Sequence, residues 1–154
     1  MRAFKSLLVS LIGLTALMYA VQNLSDIGEM RQHIGAVASH DSYPQRVFSH
    51  SPILSGGGLA LIILCQFAIA VVALKGAWEL YAARRGTPDQ FREAKSTAVW
   101  AGGLSLFGWF AQSIMIGLGL FQWGTDNGAD ALAKSFALGT TSALTILFVW
   151  GTRD

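Results

Sequence analysis

The chain has 154 residues, of which 53% are hydrophobic and only 13% are charged. Soluble domains average about 25% charged residues, so this composition indicates a membrane protein. The length suits a single integral membrane domain, residues 1–154. The net charge of +2 is too small to indicate nucleic-acid binding, and the single cysteine, Cys65, excludes an intrachain disulfide.

The first apolar run covers residues 7–21 and follows Arg2 and Lys5. A secretory signal peptide has the same layout of a charged start and an apolar middle. The run has no clean small-x-small exit, however, because Met18 and Tyr19 adjoin Ala20. We therefore expect residues 4–22 to form a first membrane span, close to the ~20 residues that a bilayer requires.

A polar segment, residues 24–52, follows this span and is expected to form an outward loop. Apolar residues recur in it every three or four positions, at Leu24, Ile27, Met30, Ile34 and Val37. This period predicts a short amphipathic helix that lies on the membrane surface.

All three histidines, His33, His40 and His50, fall in this outward loop. His33 and His40 would share a face of the surface helix, so the three are weak candidates for a metal site. Their spacing matches no recognised metal motif, and surface histidines are the plainer interpretation. None of the apolar spans holds a histidine that could bind haem iron, so a haem cofactor is not expected.

The second and third spans are expected at residues 58–85 and 88–122, with an alternative start for the second at Pro52. Between them, Gly86 suits the left-handed residue that follows many helices. Thr87 then reads as an N-cap, Pro88 as the first helical residue and Gln90 as the third position of a capping box.

A fourth span is expected at residues 129–150, which gives an all-α bundle of four transmembrane helices. With the N-terminus inside, the Lys and Arg count is eight on the inner side and three on the outer side. The positive-inside rule then places both termini in the cytoplasm.

Folding the second and third spans back on their turn places residue i near residue 173 − i. The third span is long enough that both helices must project beyond the membrane on the basic side. We expect Glu79 to form an interfacial ion pair there with Lys75, Lys95 or Arg92. The candidates for structural or partner contacts at this end are Lys75, Trp78, Glu79, Arg84, Arg85, Arg92 and Lys95.

Two glutamines, Gln66 and Gln112, lie deeper in the spans. The hairpin register separates them by several residues, so a direct hydrogen bond between them is not expected. The second tight turn instead brings Gln112 near Thr140 and Thr141. We expect an interhelical hydrogen bond there that holds the bundle together, with a quinone or lipid contact as the lesser alternative.

Several stretches resemble a bacterial family of predicted small integral membrane proteins known only as a domain of unknown function. They are MRAFKSL at 1–7, YAVQN at 19–23, ALKGAWEL at 73–80, ARR at 83–85, WF at 109–110 and MIG at 115–117. The resemblance covers nearly the whole chain. It implies a four-span protein of the inner membrane, and it implies no activity, substrate or cofactor.

Three functions remain open from the sequence. The leading hypothesis is a non-catalytic accessory or scaffold subunit of a larger inner-membrane complex of respiratory or photosynthetic type. The partners would be membrane lipids and other integral membrane subunits. The alternatives are a small transporter or channel that acts as a homo-oligomer, and a periplasmic sensor of a metal or ligand. An enzyme is not expected, because the spans offer no catalytic combination of side chains.

Overall fold

A computed structural model describes residues 1–29, 52–114 and 126–152, and their side chains in 1–29, 56–112 and 132–152. The described elements are all helical: α1 (Arg2–Ser25), α2 (Pro52–Ala82), a 3₁₀ turn (Ala83–Arg85), α3 (Pro88–Ile114) and α4 (Asp126–Gly151). The predicted surface helix lies outside the described residues from residue 30 onward, as do His33, His40, His50 and the predicted end of the third span.

Three helices differ in extent from the sequence-based bounds, and α4 begins at Asp126 instead of residue 129. α1 continues to Ser25 instead of ending at residue 22. It can do so because Asn23 is buried and its amide donates to the Gln66 side chain of α2, so a polar residue is accommodated inside the bundle. α2 begins at Pro52, the alternative start, where a residue without an N–H suits the first helical turn.

The turn between α2 and α3 contains the predicted capping box. The Thr87 N–H donates to Gln90 Oε1 at 3.0 Å, and the Gln90 N–H donates to Thr87 Oγ1 at 3.3 Å. The prediction of a left-handed Gly86 is wrong, since its φ is −79° and its ψ is −176°. The short 3₁₀ turn already lets the Gly86 N–H donate to the Ala83 carbonyl, which leaves no need for a left-handed residue.

The helices pack in chain order, α1 against α2, α2 against α3 and α3 against α4, while α1 and α4 touch only slightly. The predicted hairpin register is confirmed at Gly76, where an added Cβ would lie 3.0 Å from the Ala98 Cα. The α2 and α3 backbones therefore approach closely at this glycine, which is the contact that small residues allow between membrane helices.

The core is built from small and branched apolar side chains. Its fully buried members include Val9, Ile69, Ala73, Leu80 and Phe91. On the α3–α4 side, glycines receive large side chains: the Ile146 side chain fills the space at Gly102, and the Phe110 ring lies 2.9 Å from a Cβ built at Gly139. At these two places, packing of a large side chain against a glycine joins α3 to α4.

Three described stretches are long and apolar enough to cross a membrane: Arg2–Ser25, Gly56–Arg85 and Leu132–Gly151. At most 39% of the most apolar window in each is buried within the bundle. Much of their apolar surface therefore faces outward, as expected where hydrocarbon rather than water surrounds the helices.

Candidate functional site

The basic end of the bundle, where the α2–α3 turn meets the two ends of the chain, is built around the ring of Phe91. This side chain is completely buried in the first turn of α3. Three cations lie over its ring: the Arg2 guanidinium at 4.8 Å from the centroid, and the Lys5 and Lys95 ammonium groups each at 5.7 Å. The electron-rich faces of an aromatic ring attract such cations.

The two lysines also converge on one backbone carbonyl after α4. Lys5 Nζ donates to the Thr152 oxygen at 2.8 Å, and Lys95 Nζ donates to the same oxygen at 3.5 Å. Lys5 is 0% exposed and Lys95 is 6% exposed, so both alkyl chains pass through the protein interior. The lysines thus tie α1 and α3 to the end of α4.

Arg2 completes this cluster by bonding to the turn. Its Nη1 donates to the Gly86 carbonyl at 2.8 Å. A second contact lies one turn along α1, where the Ser6 hydroxyl donates to the Ala77 carbonyl of α2 at 2.7 Å. The first turns of α1 are therefore bonded to α2, the turn and α4, which makes the basic end a rigid junction. We call Arg2, Lys5, Phe91, Lys95 and Thr152 the basic-end cluster.

Of the cations suggested for Glu79, the structure selects Lys75, with 3.7 Å between Nζ and Oε1. Lys95 instead points inward to the basic-end cluster, because its position on α3 faces the core next to Phe91. Arg92 pairs with Asp89 of its own helix at 3.6 Å. The predicted ion pair of Glu79 is therefore present with Lys75, while Lys95 and Arg92 make other contacts.

The outer face of α2 carries Trp78 and Tyr81, and the 3₁₀ turn that follows carries Arg84. The Trp78 ring is 70% exposed and lies 6.3 Å from the Tyr81 ring. The Arg84 guanidinium stacks on Tyr81 at 3.6 Å and donates to the Tyr81 carbonyl. Arg85, next in the turn, is exposed. These side chains face away from the bundle and are available to its surroundings.

Gln66 lies inside the bundle and is bonded, but to a residue that the sequence did not indicate. Asn23 Nδ2 donates to Gln66 Oε1 at 2.9 Å. The Gln66 side chain is 3% exposed, and its Nε2 has no hydrogen-bond partner. Gln66 therefore contributes to the structure by its hydrogen bond to α1, and not by a contact within the α2–α3 hairpin.

The expected contact of Gln112 with Thr140 and Thr141 is replaced by a serine pair. The hydroxyls of Ser105 on α3 and Ser142 on α4 lie 2.8 Å apart, both buried. The Thr141 hydroxyl donates to the Ala137 carbonyl of its own helix, Thr140 is exposed and Gln112 is partly buried. The Ser142 hydroxyl, rather than the Thr141 hydroxyl, faces α3.

A lateral cleft separates α1 from α4 where the two helices diverge. It has a volume of about 100 Å³, and its walls include Leu11 and Ile12 of α1 and Leu138 of α4. The Phe4 and Phe148 rings meet edge to face at 5.8 Å and join the same two helices. The lining is almost entirely apolar.

Within the described residues, no group of three His, Cys, Asp or Glu side chains lies close enough to hold a metal ion. His33, His40 and His50 are outside those residues, so the predicted metal candidates stay untested. The chemistry that the described side chains offer is electrostatic: buried and exposed cations gathered at one end of an apolar bundle.

One family model, described as a predicted small integral membrane protein (DUF2165), matches residues 1–151. The chain belongs to this family. The resemblance noted from the sequence is therefore confirmed, and the DUF2165 chain is a small integral membrane protein. No curated protein and no solved structure matches it.

Sequence reasoning missed the central members of the basic-end cluster in this DUF2165 chain. The sequence pattern presents Lys5 only as a charge before the first span, and it does not single out Phe91. One signal was present: four spans with both termini on one side place the start of α1, the start of α3 and the end of α4 at the same end of the bundle. Phe91 also lies four residues before Lys95, on one helical face. The sequence pattern contains no comparable signal that Lys5, so close to the start of the chain, is buried.

Proposed function

We propose that this chain is a non-catalytic accessory subunit that packs against a larger complex in the bacterial inner membrane. The observation that carries the proposal is an exposed apolar stripe on α1, about half exposed or more at each position. The stripe consists of Phe4, Leu7, Leu11, Leu14, Met18 and Val21.

The stripe positions alternate in steps of three and four residues. This is the seven-residue repeat by which two helices pack side by side with a left-handed crossing. Membrane helices also associate through close van der Waals packing. α1 uses its opposite face, including Val9 and Ala16, for the bundle core. The stripe is thus a second packing surface on the same helix.

In the same proposal, α3 also crosses the membrane, which brings the number of spans to four, and both termini are cytoplasmic. α3 has 27 residues and packs between α2 and α4, two helices that are apolar enough to span. At 1.5 Å per residue it is roughly 40 Å long, enough to cross the hydrocarbon. Arg2, Lys5, Arg84 and Arg85 gather at the end that would face the cytoplasm.

The test is photocrosslinking in native membranes at matched positions. A photoreactive residue replaces Leu11 in the α1 stripe, or Leu64 on the outer face of α2, where exposure is 51% and 65% respectively. We expect Leu11 to give a discrete adduct with another membrane protein, identified by mass spectrometry, and Leu64 to give lipid adducts.

Two results would contradict the accessory role. One is an absence of protein adducts at Leu11 in native membranes, which would mean that lipid covers the stripe. The other is an adduct of twice the 16.5 kDa chain mass at Leu11, because this would show that a second copy occupies the stripe.

A second candidate, a small transporter, is favoured by the lateral cleft between α1 and α4. The cleft walls include Thr141, one of the residues considered for a polar pathway, and the rest of the lining is largely apolar, which suits an apolar solute. Flux of a solute into liposomes that disappears when Leu138→Trp fills the cleft would support transport. Flux unchanged by Leu138→Trp, or no flux for any ion or small solute, would count against it.

A further inference from the structure

We propose that the lateral cleft between α1 and α4 holds an acyl chain of a bilayer phospholipid, bound as a resident part of the folded protein. Both walls belong to helices that are long and apolar enough to span a membrane. An occupant of the cleft is therefore drawn from hydrocarbon rather than from water. The proposal does not rest on the accessory role, which uses the exposed stripe of α1. It does not rest on transport either, because a transported solute has to leave the cleft.

The cleft is deep because α3 forms its floor. Ser105 and Trp109 of α3 line it, and they are 0% and 4% exposed. Leu11 of α1 and Thr141 of α4 also line it, but both are exposed and stand at its mouth. The cleft thus runs from the surface of the bundle, between two helices that touch only slightly, to the buried face of a third helix.

The hydroxyl groups that line the cleft do not form a site for water. Thr141, Ser142 and Thr145 each donate to a carbonyl one turn earlier on α4, at 2.8 to 2.9 Å. The Ser142 proton is used in this way, so Ser105 is the donor in the serine pair. A buried water needs two to four polar partners, and Thr15 adds only one further hydroxyl. The lining therefore selects an apolar occupant.

The cleft is a slot that runs parallel to the helix axes. Its lining extends from Leu8 to Thr15 on α1, and from Leu138 to Thr145 on α4. Seven residues at a rise of 1.5 Å each give the slot a length of about 10 Å. One leaflet of hydrocarbon is about 15 Å deep, and its acyl chains run in the same direction as the helices. The slot therefore has the direction of an acyl chain and a length that fits within one leaflet.

The width of the slot excludes a helix of a partner protein. An α-helix with its side chains is about 10–12 Å across, whereas the whole cleft has a volume of about 100 Å³. A single side chain of a partner could enter the mouth, but it would not extend along the slot. Protein interiors contain few voids larger than a water molecule, since an unfilled gap forfeits dispersion contacts. A narrow and flexible acyl chain restores these contacts along the full slot.

The first experiment counts the phospholipids that stay bound to the chain. Native mass spectrometry is applied after purification in a mild detergent and repeated detergent washes. Leu138→Trp fills the slot with an indole. Leu144→Trp is the matched control, because it places the same side chain on the outer face of α4, where Leu144 is 61% exposed. Far-UV circular dichroism confirms that both variants keep their helical content.

We expect the wild-type chain to retain a phospholipid through the washes. Leu138→Trp should lose this lipid, and Leu144→Trp should retain it at the wild-type occupancy. The slot contacts the acyl chain and not the headgroup. Phosphatidylethanolamine and phosphatidylglycerol should therefore replace each other without a change in occupancy.

A second measurement uses the wild-type slot and does not depend on the folding of Leu138→Trp. The chain is placed in nanodiscs of phosphatidylcholine that carries bromine in the middle of one acyl chain, since bromine quenches tryptophan fluorescence on contact. The difference between the wild-type chain and Trp109→Phe gives the Trp109 signal. Trp100→Phe gives the reference signal of Trp100, which is 75% exposed. We expect the quenched fraction of Trp109 to match that of Trp100, although Trp109 is buried by the protein.

Four results would overturn the proposal. A wild-type chain that retains no phospholipid would show that the lipid is not resident. Equal retention by Leu138→Trp would place the bound lipid elsewhere on the surface. Retention of an amphiphile with an isoprenoid tail in place of a phospholipid would assign the slot to a different occupant. An unquenched Trp109 beside a quenched Trp100 would show that acyl chains stay outside the cleft.

Discussion

Asn23 donates a hydrogen bond to Gln66 across the interior of the bundle, 2.9 Å from Nδ2 to Oε1. It is a buried amide pair that joins α1 to α2 near the end opposite the basic-end cluster. The Gln66 Nε2 stays buried without a partner. Removal of one amide alone should therefore destabilise the bundle more than removal of both. The reason is that an orphaned buried polar group costs more than a lost hydrogen bond contributes.

The first prediction concerns this pair. Asn23→Leu should lower the free energy of unfolding by about 1–3 kcal/mol, because it leaves the whole Gln66 amide unpaired. Asn23→Leu combined with Gln66→Leu should recover most of that loss. Reversible unfolding in mixed micelles measures both, and Gln22→Leu, at an exposed neighbour, is the control. A double variant as unstable as Asn23→Leu would contradict the explanation.

The second prediction compares two adjacent glycines of α3. A Cβ at Gly102 would run into the Ile146 side chain, whereas a Cβ at Gly103 meets nothing within 4 Å. Gly102→Ala should destabilise the bundle by about 1–3 kcal/mol through overpacking. Gly103→Ala should be neutral or stabilise by up to about 1 kcal/mol through helix propensity. The same unfolding assay separates the two, and equal effects would mean that α4 does not pack as described.

The helices and the α2–α3 hairpin could be predicted because their signals are local. Apolar runs, the capping residues Thr87 and Gln90 and the tight turn fix both the elements and their register, which the Gly76–Ala98 contact confirms. Local signals do not say which face of α1 meets α2. The Asn23–Gln66 bond depends on that long-range choice, and for this reason it was missed.

The candidate site was less predictable for a related reason. A lysine before an apolar run ordinarily reaches water, and the pattern gives no sign that Lys5 instead crosses the interior to the Thr152 carbonyl. The predicted conformation of Gly86 is wrong because a 3₁₀ turn and a left-handed glycine can both end a helix, and the sequence Arg-Arg-Gly fits either.

The third prediction tests why residue 86 is glycine. Its extended backbone is open to any residue, but a Cβ there would collide with Gln90 Oε1, the acceptor in the capping box. Gly86→Ala should cost about 1 kcal/mol, the usual value of a lost cap. In a Gln90→Ala background the same change should cost little, because the capping bond is already absent. A full cost in both backgrounds would place the strain in the backbone and refute this role of Gln90.

The fourth prediction concerns the ring at the centre of the basic-end cluster. Phe91→Leu keeps an apolar side chain but removes the π-face that lies under Arg2, Lys5 and Lys95. Loss of buried volume and of the cation–π attraction should together lower the free energy of unfolding by about 2–4 kcal/mol. Phe107→Leu, at a ring of α3 that is 71% exposed, should change it by less than about 0.5 kcal/mol in the same micelles. An effect of Phe91→Leu no larger than that of Phe107→Leu would contradict the central role of the Phe91 ring in the basic-end cluster.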